Sequence, residues 1–269
     1  MSIFEALILG VVQGLTEFLP ISSSGHLILA RSLFSIESAD ALAFDAVLQL
    51  ASIVAVLLYF FPDIWQLTQT ALRKLSRLPV NQRDETLLYA ILIGTIPAVI
   101  LGLSLESLME TIFRSPLLVA GVLVLGSILF MYAEWKYVHA PRTNEMTLKK
   151  GLIIGFFQSL ALIPGMSRSG ASIAGGMLFG LSRVEATRFS FLLALPVITG
   201  AGLKKFLEMI TSDQTIIWGS VLVGALAAFV SGLIAIHFMI SFIKRHTLWP
   251  FIWYRIILAS FVLFVFVFG

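Results

Sequence analysis

The sequence predicts an all-α, polytopic membrane protein with six transmembrane helices and two re-entrant helix–loop–helix hairpins, arranged as an inverted-topology repeat. Three observations predict this fold. Of the 269 residues, 58% are hydrophobic and 12% are charged, whereas soluble domains are about half apolar and about a quarter charged. The apolar runs are long enough to cross a bilayer and do not alternate as the strands of an outer-membrane barrel do. Two further apolar stretches are broken midway, and their breaks resemble each other.

The composition also excludes several kinds of chemistry. Because the chain has no cysteine, disulfides, thiolate catalysis and cysteine metal sites are excluded. The N-terminal stretch "MSIFEALILG" lacks the basic region and cleavage site of a signal peptide. The net charge of +3 is small, and the basic residues lie mostly in short loops, which indicates membrane topology rather than nucleic-acid binding.

Six uninterrupted apolar runs are expected to span the membrane: about 41–61, 86–105, 116–136, 186–206, 216–242 and 249–268. The stretches at about 5–35 and 151–182 are interrupted by clusters of Pro, Ser and Gly. A broken helix at membrane depth is tolerated only where protein or a water-filled cavity surrounds it. We therefore interpret these stretches as re-entrant hairpins, with two extra broken spans as the alternative.

The two interrupted stretches belong to an internal repeat. "GVVQGLTEFLPISSSGHL" from Gly10 aligns without a gap to "GFFQSLALIPGMSRSGAS" from Gly155, an offset of 145 residues. The same offset carries Phe44 to Phe189. The repeats, about 1–140 and 146–269 of a single membrane domain, each hold one hairpin and three spans. Three spans are an odd number, so the second copy is inverted and the broken tips are expected to meet near the midplane.

Basic residues predict the orientation. One side of the membrane collects Arg73, Lys74, Arg77, Arg83, Lys136, Arg142, Lys149, Lys150, Arg183, Arg188, Lys244 and Arg245. The other side collects Arg31, Arg114, Lys204 and Lys205. The richer side should be cytoplasmic, which places both termini and the entry of the first hairpin outside.

The first break has the features of an anion site. Pro20 ends the entering helix, because proline lacks an N–H group and clashes with the preceding turn. Ser22, Ser23 or Ser24 can cap the returning helix, and Gly25 allows a close backbone approach. The N-terminus of a helix presents free N–H groups and the positive end of the helix dipole.

The second break is built in the same way. Pro164 and Gly165 end one helix, and "SRSG" begins the next, with Arg168 at the position that corresponds to Ser23. A guanidinium group at membrane depth is costly unless it has a partner or a function, and its planar fork suits phosphate oxygens. Two helix N-termini and this arginine predict a phosphate or pyrophosphate site. Further lining residues are expected at the matched positions Ser167, Ser169 and Gly170.

Reactive groups surround this predicted site. Glu17 is a carboxylate just before the first tip, Ser23 is a hydroxyl group at the tip, and His26 lies three residues further along the same helix face. A nucleophile, a base and fixed positive charge are the groups that phosphoryl transfer requires. Glu17, together with Asp45, could hold a divalent cation, which the sequence permits without demanding. Gln13 either lines the site or packs against a neighbouring helix.

These residues resemble a known family. "QGLTEFLPISSSGH" and "PGMSRSGAS" look like the two signature motifs of the undecaprenyl pyrophosphate phosphatases, the bacitracin-resistance family. The resemblance covers essentially the whole chain, including "FDAVLQLASIVAVL" and "RFSFLLALP". It implies six spans, two re-entrant hairpins and an inverted repeat. It also implies hydrolysis of undecaprenyl pyrophosphate to undecaprenyl phosphate, which recycles the lipid carrier for peptidoglycan and other envelope polymers in the bacterial cytoplasmic membrane.

By motif position, the resemblance implies that Glu17, Ser23, His26 and Arg168 perform catalysis and pyrophosphate binding, and that magnesium or calcium is required. Some members of the family carry Glu where this chain has Gln13. A mechanism that needs two carboxylates from that motif would therefore need another acid here, and Asp45 is the candidate. The sequence leaves the oligomeric state open, a homodimer included.

Two other functions compete with this one. The motif "SSSGH" superficially resembles that of acid-phosphatase-like lipid phosphatases, but those require a histidine six residues after the arginine, and here that residue is Ala174. A transporter of undecaprenyl phosphate is the second alternative, alone or as a second activity, because inverted repeats with broken helices are typical of secondary transporters. The set of nucleophile, base and arginine favours an enzyme, since a carrier does not need it.

Overall fold

The computed structural model describes residues 1–36, 41–106, 115–212 and 216–268, and these ranges are almost entirely helical. The helices in chain order are α1 (Ile3–Phe18), α2 (Ser23–Phe34), α3 (Ala41–Tyr59), α4 (Phe61–Leu75), α5 (Gln82–Ser104), α6 (Pro116–His139), α7 (Leu148–Ser159), α8 (Arg168–Leu178), α9 (Arg183–Thr211), α10 (Trp218–Ile243) and α11 (Trp249–Phe268). A 3₁₀ turn, Leu160–Leu162, follows α7.

The six predicted spans are confirmed as helices long and apolar enough to cross a membrane: α3, α5, α6, α9, α10 and α11. Their ends differ from the predicted ones by a few residues. The largest difference is in α9, which continues to Thr211 instead of ending at 206. It begins at Arg183, where the Ser182 hydroxyl caps it by accepting the Glu185 N–H at 3.2 Å. Arg114, which was counted in the predicted orientation, lies outside the described residues.

The sequence analysis missed α4. This helix follows α3 directly, with Pro62 in its first turn. It mixes apolar and polar residues, so it has no continuous apolar run of the kind that revealed the spans.

Each interrupted stretch forms two short helices that pack against each other, α1 with α2 and α7 with α8. The longest of the four, α1, has 16 residues, which is about 24 Å at about 1.5 Å per residue. None of them matches the roughly 20 residues that cross the hydrocarbon core. The arrangement is consistent with the re-entrant hairpins that the sequence predicts.

The helix packing has a paired pattern. Helix α1 packs mainly on α10, and its counterpart in the repeat, α7, packs mainly on α5. Gly10 and Gly155, which the repeat aligns, allow the close approach of the two helices in each of these pairs. A side chain at Gly10 would overlap the Gly224 carbonyl of α10, and one at Gly155 would overlap the Gly94 carbonyl of α5. Both contacts need a residue without a Cβ atom. The inverted repeat stays a prediction, which this pairing supports.

Candidate active site

The two breaks end in capping serines with the same backbone conformation. Helix α1 ends at Phe18, two residues before Pro20, and α2 begins after Ser22, whose φ and ψ are 76° and 97°. Helix α8 begins after Ser167, with φ and ψ of 75° and 113°. Each serine hydroxyl caps its helix, because it accepts the N–H of the third helical residue. Of the three predicted candidates, Ser22 is therefore the cap of the first tip, and Ser167 is its counterpart.

The capping distances match as well. Ser22 Oγ accepts from the N–H of Gly25 at 3.3 Å, and Ser167 Oγ accepts from that of Gly170 at 3.1 Å. Since the first N–H groups of a helix have no partner within it, the first two N–H groups of α2 and of α8 are left for a ligand. Each tip thus presents the donors of an anion site.

The two tips are in direct contact. Ser22 Oγ accepts a hydrogen bond from the N–H of Gly165 at 3.0 Å, and Ser169 Oγ donates to the carbonyl of Leu19 at 3.0 Å. The expected meeting of the tips is therefore present. Gly25 and Gly170 both lie at close approaches: a side chain at Gly25 would press on Val119, and one at Gly170 would overlap a phenylalanine ring of α6.

Arg255 of α11 binds backbone carbonyls of both tips, and the sequence analysis missed it. Its side chain is fully buried inside the protein. Its Nη1 donates to the carbonyls of Pro20 (3.4 Å) and Met166 (3.2 Å), and its Nη2 donates to that of Gly165 (2.9 Å). Its Nη2 also donates to the Leu123 carbonyl at 3.1 Å. One guanidinium group thus satisfies carbonyl groups that both helix breaks leave without helical partners.

Glu17 connects the reactive side chains across the tips. Its Oε2 accepts hydrogen bonds from Ser23 Oγ at 2.6 Å and Gln13 Nε2 at 2.8 Å. Its Oε1 accepts from Arg168 Nη2 at 3.0 Å. The carboxylate is 4% exposed and the guanidinium 11% exposed, so this ion pair lies inside the protein. The structure therefore brings together Glu17, Ser23 and Arg168, from both halves of the chain.

Arg168 retains unused hydrogen-bonding capacity. Its Nη1 donates to the carbonyl of Ser190 at 3.2 Å, which fixes the guanidinium plane. Its Nε is buried and has no hydrogen-bond partner. An arginine normally offers five N–H donors. A phosphate that enters between the tips would find donors on this side chain as well as on the helix N-termini.

His26 has partners other than those expected. Its Nδ1 lies 2.7 Å from the Ser22 carbonyl, and its Nε2 lies 2.7 Å from the Tyr254 hydroxyl, with the two rings stacked. A carbonyl oxygen only accepts, so Nδ1 carries a proton, and in the neutral imidazole Nε2 is then the acceptor. Both ring nitrogens are thus engaged away from Ser23 and Glu17. Tyr254 is 43% exposed, so this pair forms an outer edge of the site.

The remaining predicted residues are placed less centrally. Asp45 accepts from Arg31 Nη2 at 2.5 Å, so it belongs to an ion pair between α2 and α3. Ser24 Oγ lies 3.5 Å from Ser22 Oγ. Gln158, the counterpart of Gln13, is buried, and both atoms of its amide lack a partner.

A divalent cation would have few protein ligands here. Within the described ranges, no group of three or more His, Cys, Asp or Glu side chains is placed to hold a metal. Beside Glu17, however, Gln13 Oε1 is buried and has no hydrogen-bond partner. Magnesium is commonly bound by one or two protein oxygens together with substrate phosphates. This oxygen and the Glu17 carboxylate fit that mode of binding.

Known proteins resemble this chain over nearly its whole length. Residues 6–261 match the protein family described as bacitracin resistance protein BacA. The chain is similar to the undecaprenyl-diphosphatase of Alteromonas mediterranea, with 40% identity over all of both chains. It is also similar to those of Chloroherpeton thalassium (40% identity, 98% of this chain and 96% of the relative) and Myxococcus xanthus (41% identity, 98% and 89%).

Proposed function

The chain belongs to the bacitracin resistance protein BacA family, and we propose that the two tips are the active site of its phosphatase activity. The protein is a multi-pass membrane enzyme, an undecaprenyl-diphosphatase, that hydrolyses undecaprenyl pyrophosphate to undecaprenyl phosphate and phosphate. The reaction recycles the lipid carrier of envelope-polymer synthesis. The observation that carries the assignment of the site is the buried contact of Glu17 with both Ser23 and Arg168.

Binding begins with the diphosphate. The N–H groups at the starts of α2 and α8 and the guanidinium of Arg168 form a positive cradle for it. In the structure Arg168 is paired with Glu17. When the guanidinium turns to the phosphate oxygens, Glu17 Oε1 is released, while Oε2 still accepts the Ser23 hydroxyl. Substrate binding therefore prepares Glu17 for its role.

Glu17 is then placed to activate Ser23. The Ser23 hydroxyl already donates to Glu17 Oε2 at 2.6 Å, which is the geometry of a general base and its nucleophile. As Ser23 Oγ bonds to the terminal phosphorus, its proton passes to Glu17. The bond from that phosphorus to the bridging oxygen breaks, and undecaprenyl phosphate leaves with the electron pair. Water then hydrolyses the phosphoserine, and Ser23 regains a proton. Direct attack by water is the alternative.

We propose that His26 accepts a proton at the edge of the site. Because Nδ1–H is fixed on the Ser22 carbonyl, Nε2 can accept a proton from a water that replaces the Tyr254 hydroxyl. The variant Tyr254→Phe keeps the ring stacked but removes the hydroxyl. Because the hydroxyl no longer competes with that water for Nε2, we expect turnover to rise about fivefold, the effect of about one hydrogen bond. The ¹⁵N resonance of His26 Nε2 should also shift. An unchanged resonance and unchanged turnover would exclude this contact from the mechanism.

A divalent cation is proposed as a cofactor, held by Glu17 and by Gln13 Oε1, whose lack of a partner supports this placement. When bound, such an ion neutralises charge on the substrate phosphates. Glu17 still supplies the base, Ser23 the hydroxyl group, and Arg168 the guanidinium group that binds the phosphate oxygens.

We also propose that the protein resides in the bacterial cytoplasmic membrane with both termini outside. The distribution of basic residues between the loops supports this orientation.

The test is phosphate release from undecaprenyl pyrophosphate by purified protein in detergent, with and without a chelator. Glu17→Gln keeps the shape of the side chain but removes the base, so we expect release to fall about 10²- to 10⁴-fold. The chelator should abolish release, and added magnesium should restore it. Thermal unfolding of each variant controls for folding. A well-folded Glu17→Gln variant with wild-type turnover would contradict the proposed site.

A further inference from the structure

Helix α4 leaves the membrane-spanning part of the protein abruptly. The span α3 ends at Tyr59, and α4 begins at Phe61. The residue between them, Phe60, has φ and ψ of −100° and 22°, which interrupts the helix, and Pro62 follows in the first turn of α4. The start of α4 therefore lies where α3 reaches the membrane boundary.

The contacts of α4 show that it lies across the end of α5. Gln66 Nε2 donates to Asp84 at 2.8 Å, and Lys74 forms an ion pair with Glu85. The two partners are neighbours in the first turn of α5. Gln66 and Lys74, however, are about 12 Å apart along α4 at about 1.5 Å per residue. If α4 ran alongside α5, the two partners would be similarly far apart. A helix that crosses the end of a span lies in the plane of the membrane surface.

The protein holds one face of α4. Asp63 pairs with Arg188, near the start of the span α9. Ile64 and Leu67 pack against the main hydrophobic core, and Thr70 is buried. These contacts fix the orientation of the helix about its own axis.

A second face of α4 is apolar and bare. Phe61, Trp65, Leu72 and Leu75 are 59%, 53%, 58% and 82% exposed. With Thr68, they follow the spacing i, i+4, i+7, i+11 and i+14, which is one stripe along a helix. We call these five residues the α4 stripe. Gln66 and Arg73 lie about 120° to 140° around the helix from the middle of the stripe, on its polar side, at about 100° per residue.

The charge of α4 identifies what covers the stripe. The helix and its end carry three exposed cations, Arg73, Lys74 and Arg77. Lys74 pairs with Glu85 and the acidic Asp63 pairs with Arg188, so Arg73 and Arg77 are the excess charge. Helices with large apolar residues on one side and basic residues on the other bind at the boundary between headgroups and acyl chains. Cations near that boundary attract anionic lipids.

We propose that α4 is an interfacial helix that lies in the membrane surface, with the α4 stripe in the acyl region and its basic end against anionic lipid headgroups. This would give the enzyme a lipid contact at the membrane face opposite the entry of the first hairpin. The inference does not depend on the phosphatase site.

The natural absence of cysteine allows a direct test in lipid nanodiscs. Single cysteines replace Trp65 and Leu72 in the α4 stripe and Gln66 on the polar side as the matched control, and each carries a nitroxide label. We expect the two stripe labels to be relaxed mainly by oxygen, and the Gln66 label mainly by a water-soluble nickel chelate. Nickel access to the stripe would overturn the proposal, and so would protection from both reagents, which would show that another protein copy covers it.

The second arm tests the basic end. Native mass spectrometry counts phosphatidylglycerol and phosphatidylcholine that stay bound to the purified protein. The triple variant Arg73→Gln, Lys74→Gln, Arg77→Gln is compared with Lys244→Gln, Arg245→Gln as the control. Since each cation near an anionic surface contributes roughly fivefold to binding, the triple variant should lose its preference for phosphatidylglycerol and the control should keep it. An unchanged preference in the triple variant, or an equal loss in the control, would overturn the role of these cations.

Discussion

The first tip, around Ser22, and the second tip, around Ser167, have the same capping geometry and different side chains. Their capping residues have φ of 76° and 75°, and both caps close on the third N–H of the helix that follows. At the 145-residue offset, however, Glu17 and Ser23 correspond to Leu162 and Arg168.

The comparison separates anion binding by the backbone from the chemistry of the side chains. The backbone common to both tips supplies anion-binding N–H groups, which any phosphate site needs. In the proposed mechanism the side chains divide the chemistry, because the base and the hydroxyl come from the first tip and the fixed positive charge comes from the second. A site that neither half could form alone arises where the halves meet.

The largest effect expected from this comparison is that of Arg168→Lys. The ammonium group keeps the charge but cannot supply the planar fork that binds phosphate through two oxygens. We expect phosphate release to fall about 10²- to 10³-fold, as on removal of a charge-stabilising donor. The matched variant Arg183→Lys, at an arginine that pairs with Glu134 outside the tips, serves only as a control for folding. Wild-type turnover in well-folded Arg168→Lys would show that a point charge suffices.

An intermediate effect is expected from the matched glutamines. Gln13 donates to Glu17, whereas both amide atoms of the buried Gln158 lack partners. Gln13→Leu removes a hydrogen bond to a charged group, which contributes about 1.5–3 kcal/mol, so activity should fall tenfold or more by that conversion. Gln158→Leu removes unpaired polar atoms and should leave the protein as stable or more stable. Phosphate release and thermal unfolding of both variants measure the contrast, and equal losses of activity would contradict it.

The smallest effect is expected from the matched serines. Ser169 donates to the Leu19 carbonyl across the tips, whereas Ser24 Oγ reaches only Ser22 Oγ at 3.5 Å. Ser169→Ala should therefore lower the free energy of unfolding by about 1 kcal/mol, and Ser24→Ala by less. Unfolding in mild detergent, followed by tryptophan fluorescence, compares the two. A larger loss for Ser24→Ala would reverse the assignment of the contact between the tips.

Hydropathy and the repeat predicted most of the fold and much of the site. The six spans follow from long apolar runs, and Glu17, Ser23 and Arg168 stand out because polar groups are costly at membrane depth. The helix α4 was missed, although its apolar residues recur with helical spacing, because hydropathy alone does not detect a helix that lies on the membrane surface.

Partners distant in sequence could not be predicted. Arg255 is a lone cation in an apolar run, which by itself indicates a function. Its partners are backbone carbonyls of Pro20, Gly165 and Met166, and a carbonyl has no sequence signature. The contact of His26 with Tyr254 joins residues 228 positions apart.

The central claim is that the two tips form one active site, and a double-mutant cycle tests it most directly. Values of kcat/KM for phosphate release are measured for wild type, Glu17→Gln, Arg168→Gln and the double variant. Residues that act as a unit are strongly non-additive. We predict that the double variant is little worse than the more impaired single variant. Losses that multiply in the double variant would show that Glu17 and Arg168 act independently and would contradict a shared site.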